Sequence, residues 1–301
     1  MDTQKRNIYI GVGCEPQQNL AYHVLKYSIE KSFKSDEYLI KTFPLHEINI
    51  DTKISENIKS LQGTPFSFQR FYFSIWASKT IKSNDVCIYL DSDMLVLGNI
   101  SDLVETFIRQ NQNISICDTK KYWKRKQQQA VMLFNHRGAK ELSDKFNSFL
   151  NLEISYKDLM KRPEMKEFLP WFWNSQEELT GDTKLIHYTD MDYQPWLRRD
   201  NVNSGIWITY LRSFIQSEDG KNILDDEIQK GFVRPSLSEL FLNPPNYPVT
   251  STSYIMKDSL FIPPHRLKVL KNKRLRLFLS PILKIFLLAS RILKNNRVNK
   301  I

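Results

Sequence analysis

Val86-Cys87-Ile88-Tyr89-Leu90-Asp91-Ser92-Asp93-Met94-Leu95-Val96-Leu97 is an apolar run broken by two acids one residue apart. Its length and its β-branched and aromatic content predict a buried strand over 85–90. In extended backbone, residues i and i+2 share a side, so Asp91 and Asp93 are expected to project together from the strand's end. Two carboxylates in an apolar setting repel each other and are costly to desolvate. A divalent cation relieves both problems. Oxygen ligands favour Mg²⁺ or Mn²⁺, ions that commonly bridge to a substrate's phosphates. The same three-residue pattern also occurs in solvated turns that hold no metal, so a second signal has to decide.

Outward from that run, strands alternate with helices. Apolar spacing predicts strands over 7–13, 38–43, 114–117 and 130–134, and helices over 18–33, 66–78, 102–110 and 138–150, with Ser101 as N-cap of the third. The alternation argues for an α/β sheet with helices on both faces. Ligands of such sheets sit beyond the carboxyl ends of strands. Asp91 and Asp93 occupy one such end and Gly11–Glu15 another. Gly11-Val12-Gly13 begins a glycine pattern, but Pro16 stands where a third glycine belongs, so it is not a dinucleotide fingerprint. Gly11, Gly13 and Glu15 are left with two readings: close approach of backbone to a nucleotide, or a tight strand-to-helix turn. After residue 150, Pro163, Pro170, Trp171, Trp173, Pro195, Trp196, Pro244 and Pro245 punctuate aromatic-rich loops that either wall a cleft or pack over the sheet.

A chain of 301 residues, 41% hydrophobic and 12% aromatic, can bury a full core and is globular. Cys14, Cys87 and Cys117 are an odd number, widely spaced and set in apolar segments, which argues against a disulfide framework and for a reducing compartment. The polar N-terminus runs straight into the first strand without a leader pattern, so a cytoplasmic location is expected. The net charge of +10 is uneven: residues 266–301 hold eleven Lys or Arg and no acid, which leaves the first 265 residues near −1. The basicity thus belongs to a tail, and no nucleic-acid partner is expected. Within the tail, 275–293 is rich in Leu, Ile and Phe but interrupted by Arg276, Pro281, Lys284 and Arg291, too charged for a comfortable span. It reads as a helical, amphipathic segment on an anionic membrane surface, or as a helix packed on the body. The expected division is a catalytic domain over 1–265 and a membrane-associating tail over 266–301.

The second signal is Leu185-Ile186-His187-Tyr188-Thr189, followed by Gln194-Pro195-Trp196. Together with the first strand, Arg70, and the strand leading into Asp-x-Asp, this resembles glycosyltransferase family eight, whose catalytic domain ends in a His…Lys-Pro-Trp motif. The resemblance covers roughly residues 7–200. It implies a GT-A fold with a single Rossmann-like mixed sheet, a nucleotide-sugar donor that is usually UDP-linked, Mn²⁺ (or Mg²⁺), and hexose transfer with retention to a glycan or lipid-linked acceptor. Carried over by residue, Asp91 and Asp93 would bind the metal with His187 as third ligand. Ser92, Gln194 and Trp196 would line the donor with Gly11, Gly13 and Glu15. Arg70 would contact the acid pair or the donor sugar, Asp118 would lie near the sugar, and Asp158 would be the acid beneath it. Arg70 could equally form a plain ion pair, and Asp118 could be a cap. Trp171–Ser175 would offer stacking faces, or core.

This chain departs from the family pattern in three places. The family's Lys is Gln194 at a spacing about one residue longer, its Gly in that motif is not evident, and Val131-Met132-Leu133-Phe134-Asn135 stands in place of its Phe-Asn-x-Gly segment. Arg198 or Arg199 is the available substitute for the lost charge. Two other classes compete. A sugar-phosphate nucleotidyltransferase usually carries an Arg in its N-terminal glycine-rich loop, which Gly13-Cys14-Glu15-Pro16-Gln17 lacks. A non-enzymatic basic membrane-binding protein leaves the acid pair unexplained.

Overall fold

The computed structural model describes residues 5–48, 65–120, 123, 129–240 and 256–267. The chain divides into two compact units, Met1–Thr189 and Asp190–Ile301. The expected boundary at 265/266 marks the basic tail, nearly all of which lies outside the described residues, as do Pro244 and Pro245.

The first unit is built on a five-stranded sheet. Its strands are β1 (Arg6–Gly13), β2 (Tyr38–Pro44), β3 (Val86–Asp91), β5 (Ile114–Ile116) and β6 (Val131–Phe134), in the order β2-β1-β3-β6-β5. β1 runs parallel to β2 and β3, and β6 runs antiparallel to both β3 and β5, so the sheet is mixed. Strand alternation separates two cores. Ile8, Ile10, Val12, Val86, Ile88, Leu90, Val131 and Leu133 face α1 (Asn19–Ser32) and α3 (Ile100–Gln110). Cys87, Tyr89, Met132 and Phe134 face α2 (Pro65–Thr80) and α4 (His136–Leu150). The second core is aromatic: Phe71 stacks on Phe146 at 5.4 Å and Phe73 meets Phe134 edge-on at 5.3 Å. The α/β sheet with helices on both faces is therefore present, and all three cysteines are buried and free.

Two helix starts differ from the expectation. α3 begins at Ile100 and its N-cap is Asn99, whose extended backbone lets the side chain accept from Ser101 N; Ser101 lies inside the helix. α4 begins at His136 with Asn135 as cap, accepting from Gly138 N at 2.9 Å. Gly138 therefore sits in the first turn, where a Cβ would strike the carbonyl of Asn113. A short 3₁₀ turn, Pro16–Gln18, precedes α1, and Glu15 caps it reciprocally with Gln18.

A second, three-stranded sheet was not expected. It consists of β4 (Met94–Val96), β7 (Ser175–Gln176) and β8 (Leu185–His187), in the order β4-β8-β7. β4 follows the acid pair directly, and its antiparallel register sets Met94 opposite His187.

In the second unit, α6 (Ser204–Phe214) and α7 (Glu218–Gln229) surround a core that includes Trp196, Trp207, Leu211, Leu224 and Leu237. α5 (Tyr156–Leu159) is a single turn in the first unit. Among the described residues no helix is long and apolar enough to cross a membrane.

Candidate active site

Sheet register gathers the strand ends that the sequence singles out. Gly13 pairs with Asp91 across β1 and β3, and Ser92 N continues the contact by donating to Gly13 O at 2.9 Å. Ile116 and Tyr89 both align with Met132, so Asp118 leaves β5 at the same edge as Asp91, two strands or about 10 Å away. Gln69 on α2 pins the end of β1. Its amide oxygen accepts from Cys14 N and its amide nitrogen donates to Cys14 O, each at 2.8 Å.

At the centre lie Asp91, Asp93 and His187, whose candidate ligand atoms are all within 4.8 Å of one another. Asp91 and His187 are buried and Asp93 is half-buried. Alternation puts Asp91 on the face of Tyr89, whose phenol donates to Asp91 Oδ1 at 2.6 Å. Arg70 reaches the same oxygen from α2, with Nη2 at 4.0 Å. Its guanidinium lies 5.1 Å over the Tyr89 ring and Nη1 donates to Gln129 O at 3.0 Å. This contact with the acid pair is one that both readings of Arg70, site residue or plain ion pair, allow. Burial pushes the Asp91 carboxyl above its ordinary range; Arg70 opposes that and Asp93 adds to it.

The second sheet delivers His187. Pairing of β4 with β8, and the Tyr188 N bond to Asp93 O at 2.8 Å, bring His187 Nε2 within 3.1 Å of Asp93 Oδ1. On the ring's other side Nδ1 lies 2.9 Å from Asn174 Oδ1. Amide and carboxylate oxygens only accept, so Nδ1 donates to Asn174 Oδ1 and Nε2 donates to Asp93 Oδ1, and the Nε2 proton is the one a cation would displace. Burial alone would lower the His187 pKa, but the charge and hydrogen bond of Asp93 outweigh it and the net shift is upward.

Gly11 and Gly13 have their side-chain space filled from within: a Cβ on Gly11 would meet Leu45 and Phe73, and one on Gly13 the Tyr89 hydroxyl. Glu15 is engaged at its 3₁₀ cap. Ser92 is fully buried. Asp118 is exposed and caps Thr119 N at 2.8 Å. Asp158 is also exposed, and its carboxylate is committed to Ser155 in a capping box, which holds its pKa below the ordinary range. Trp173 is core, while the Trp171 ring is topped by Lys120 Nζ at 3.6 Å, itself paired with Glu178 at 2.6 Å. Gln194 and Trp196 belong to the second unit. There, Gln194 O accepts from Leu197 N and Arg198 N, and Trp196 packs on Trp207 at 5.4 Å. Arg198 pairs with Asp200 and Arg199 with Asp258.

Sequence reasoning missed Tyr89, Asn174 and Glu177. The first is the i−2 neighbour of Asp91 and could have been found from strand alternation. Asn174 and Glu177 flank β7, which runs parallel to β8 with Gln176 opposite His187. Glu177 donates its N–H to His187 O at 3.0 Å and holds a left-handed φ of 51°. A non-glycine residue in that conformation at the rim of a polar cluster is the kind of local strain that gathers at functional sites.

The donor set defines the class of centre: two carboxylates and an imidazole, converging at a sheet edge, suited to a divalent cation. No protein-family model matches the chain, and no curated protein does. Among solved structures the chain is similar to the apo-form glycosyltransferase GlyE of Streptococcus pneumoniae TIGR4, at 16% identity and a TM-score of 0.43, over 77% of this chain and 65% of that one. It is similar to the bifunctional glycosyltransferase WbbM at 12% identity and a TM-score of 0.48, over 70% of this chain and 50% of that one. A third is the galactosyltransferase LgtC in complex with donor and acceptor sugar analogues, at 12% identity and a TM-score of 0.45, over 68% of this chain and 94% of that one. The chain thus spans less than two thirds of GlyE and half of WbbM.

Proposed function

We propose that this chain is a metal-dependent glycosyltransferase of the GT-A type, a divergent member of family eight, moving a hexose from a nucleotide sugar to a glycan or lipid-linked acceptor. The observation that carries the reading is the Asp91–Asp93–His187 triangle, with ligand atoms within 4.8 Å at the carboxyl end of a buried strand. The residues fit a divalent cation. A buried Asp91 carboxyl raised by desolvation is relieved by a second positive charge, and two oxygens with one imidazole nitrogen suit Mn²⁺ better than Mg²⁺, which prefers oxygen and water alone.

A cation bound there supplies Lewis-acid stabilisation to a diphosphate leaving group. The chain's own residues do the rest. Asp91 and Asp93 would hold the cation through their carboxylates and His187 through Nε2. Tyr89 and Arg70 fix the Asp91 carboxylate, so the site is organised before the donor arrives. Asp118, at the same sheet edge, is proposed to contact the sugar. A UDP-linked donor, retention of configuration and attachment of residues 266–301 to the inner face of an anionic membrane remain part of this proposal, on the family resemblance and the charge pattern.

The test is donor turnover. Wild-type protein, screened by thermal shift against nucleotide sugars with and without Mn²⁺, should be stabilised by its true donor only when metal is present. Asp91→Asn and Asp93→Asn should lose donor hydrolysis and transfer while keeping a cooperative melt. Full activity in either variant with the cognate donor would sink the metal-site reading.

A further inference from the structure

We propose that Asn174 is the positioning residue of this centre: its amide oxygen holds the His187 ring with Nδ1 protonated, which presents Nε2 to the cation that Asp91 and Asp93 share. This deepens the metal reading and rests on it. The geometry is specific. Asn174 is fully buried and its Oδ1 lies 2.9 Å from His187 Nδ1. Nε2 faces the other way, 3.1 Å from Asp93 Oδ1. A neutral imidazole has one protonated and one bare nitrogen, and the partner of the first decides which is free to ligate.

Asn174 is itself held rigidly. Its N–H donates to Trp171 O at 2.8 Å, closing the 3₁₀ turn Trp171–Trp173, and the next residue enters β7. Trp173 beside it is core. The backbone therefore aims the amide from two anchored neighbours, and β7 is bonded in register to the strand that carries His187. Its side chain is a poor choice for folding alone. Among the described residues Asn174 Nδ2 is buried with no hydrogen-bond partner, so an apolar residue would avoid an unsatisfied donor. What the amide contributes is the acceptor oxygen.

The experiment titrates purified full-length protein with Mn²⁺ alone, read by electron paramagnetic resonance, for wild type, Asn174→Ala and Asn174→Asp. Loss of the acceptor in Asn174→Ala should weaken Mn²⁺ binding about 10- to 100-fold. Asn174→Asp keeps an acceptor and adds charge to the imidazole's proton, so it should bind at least as tightly as wild type. A purely structural asparagine would not be rescued in this order. A second readout needs no variant: ¹⁵N spectra of imidazole-labelled wild type loaded with diamagnetic Cd²⁺ should show a proton on Nδ1 and metal on Nε2 of His187. Equal Mn²⁺ affinity in Asn174→Ala, or metal on Nδ1, overturns the assignment while leaving the metal centre standing. Failure of the wild type to bind Mn²⁺ overturns the centre and the assignment together.

Discussion

Gly13→Ala separates two reasons for a glycine at the end of β1: room for a ligand, or room for a neighbouring side chain. Gly13 is not in the left-handed region, so its backbone accepts alanine, and the change by itself should stabilise the strand by about 0.5–1 kcal/mol. Packing acts against it. The new Cβ would land on the Tyr89 hydroxyl and 2.9 Å from its Cζ. Tyr89 is wholly buried and cannot swing away, because its hydroxyl is bound to Asp91 Oδ1 at 2.6 Å. Overpacking of a core costs about 1–3 kcal/mol, and distortion of a hydrogen bond to a charged group adds up to about 1.5–3 kcal/mol. The net expectation is a loss of about 2–4 kcal/mol, so contact outweighs backbone entropy. Tyr89→Phe removes the obstructing atom along with its hydrogen bond. Adding Gly13→Ala to it should then cost only about 1 kcal/mol more, a coupling of at least about 1 kcal/mol in a double-mutant cycle. Urea unfolding of the four proteins measures it. A neutral or stabilising Gly13→Ala, or additivity within about 0.5 kcal/mol, refutes the packing account and returns Gly13 to the ligand.

The site should also respond to pH. His187 has its folded pKa raised above 6.5 by Asp93 against the pull of burial, so in metal-free protein its contribution to stability is full below pH 6.5 and is lost as pH rises through the folded value. Mn²⁺ needs the deprotonated ring, so metal affinity should rise across that same window. Melting curves with EDTA and with Mn²⁺ at a series of pH values check both, and a metal-free melt that is flat above pH 6.5 would remove the His187–Asp93 pair from the account. For the tail, deletion from residue 268 keeps Arg266, which with His265 grips Asp192 at 2.8 and 2.9 Å, and removes ten of the eleven positive charges of 266–301. The truncated protein should keep donor hydrolysis and lose co-sedimentation with anionic vesicles, binding that in the full chain weakens with salt; undiminished co-sedimentation would show that the tail is not the anchor.

Much of this protein was legible in one dimension because the relevant signals are local. The apolar run before Asp91 reads as a strand since its side chains are buried on both faces, and the helices follow from apolar spacing. The acid pair was visible because charge inside such a run demands a partner. Helix starts slipped by two residues where Asn99 and Asn135, rather than Ser101 or a residue before Gly138, had the extended backbone that lets a side chain cap.

The chain alone determined the mixed α/β alternation, the carboxylate pair at the end of one strand, and His187 as its candidate partner. Only the tertiary structure decided the rest. β7 is two residues long, β4 and β8 are three, and β4 is continuous with the acid-pair run, so the small sheet that brings His187 to Asp93 across 94 positions of sequence was invisible until paired. Asn174 acquires its role the same way: hydrogen-bond geometry falls off within an ångström or two, and sequence spacing carries no information on that scale between residues that meet only after folding.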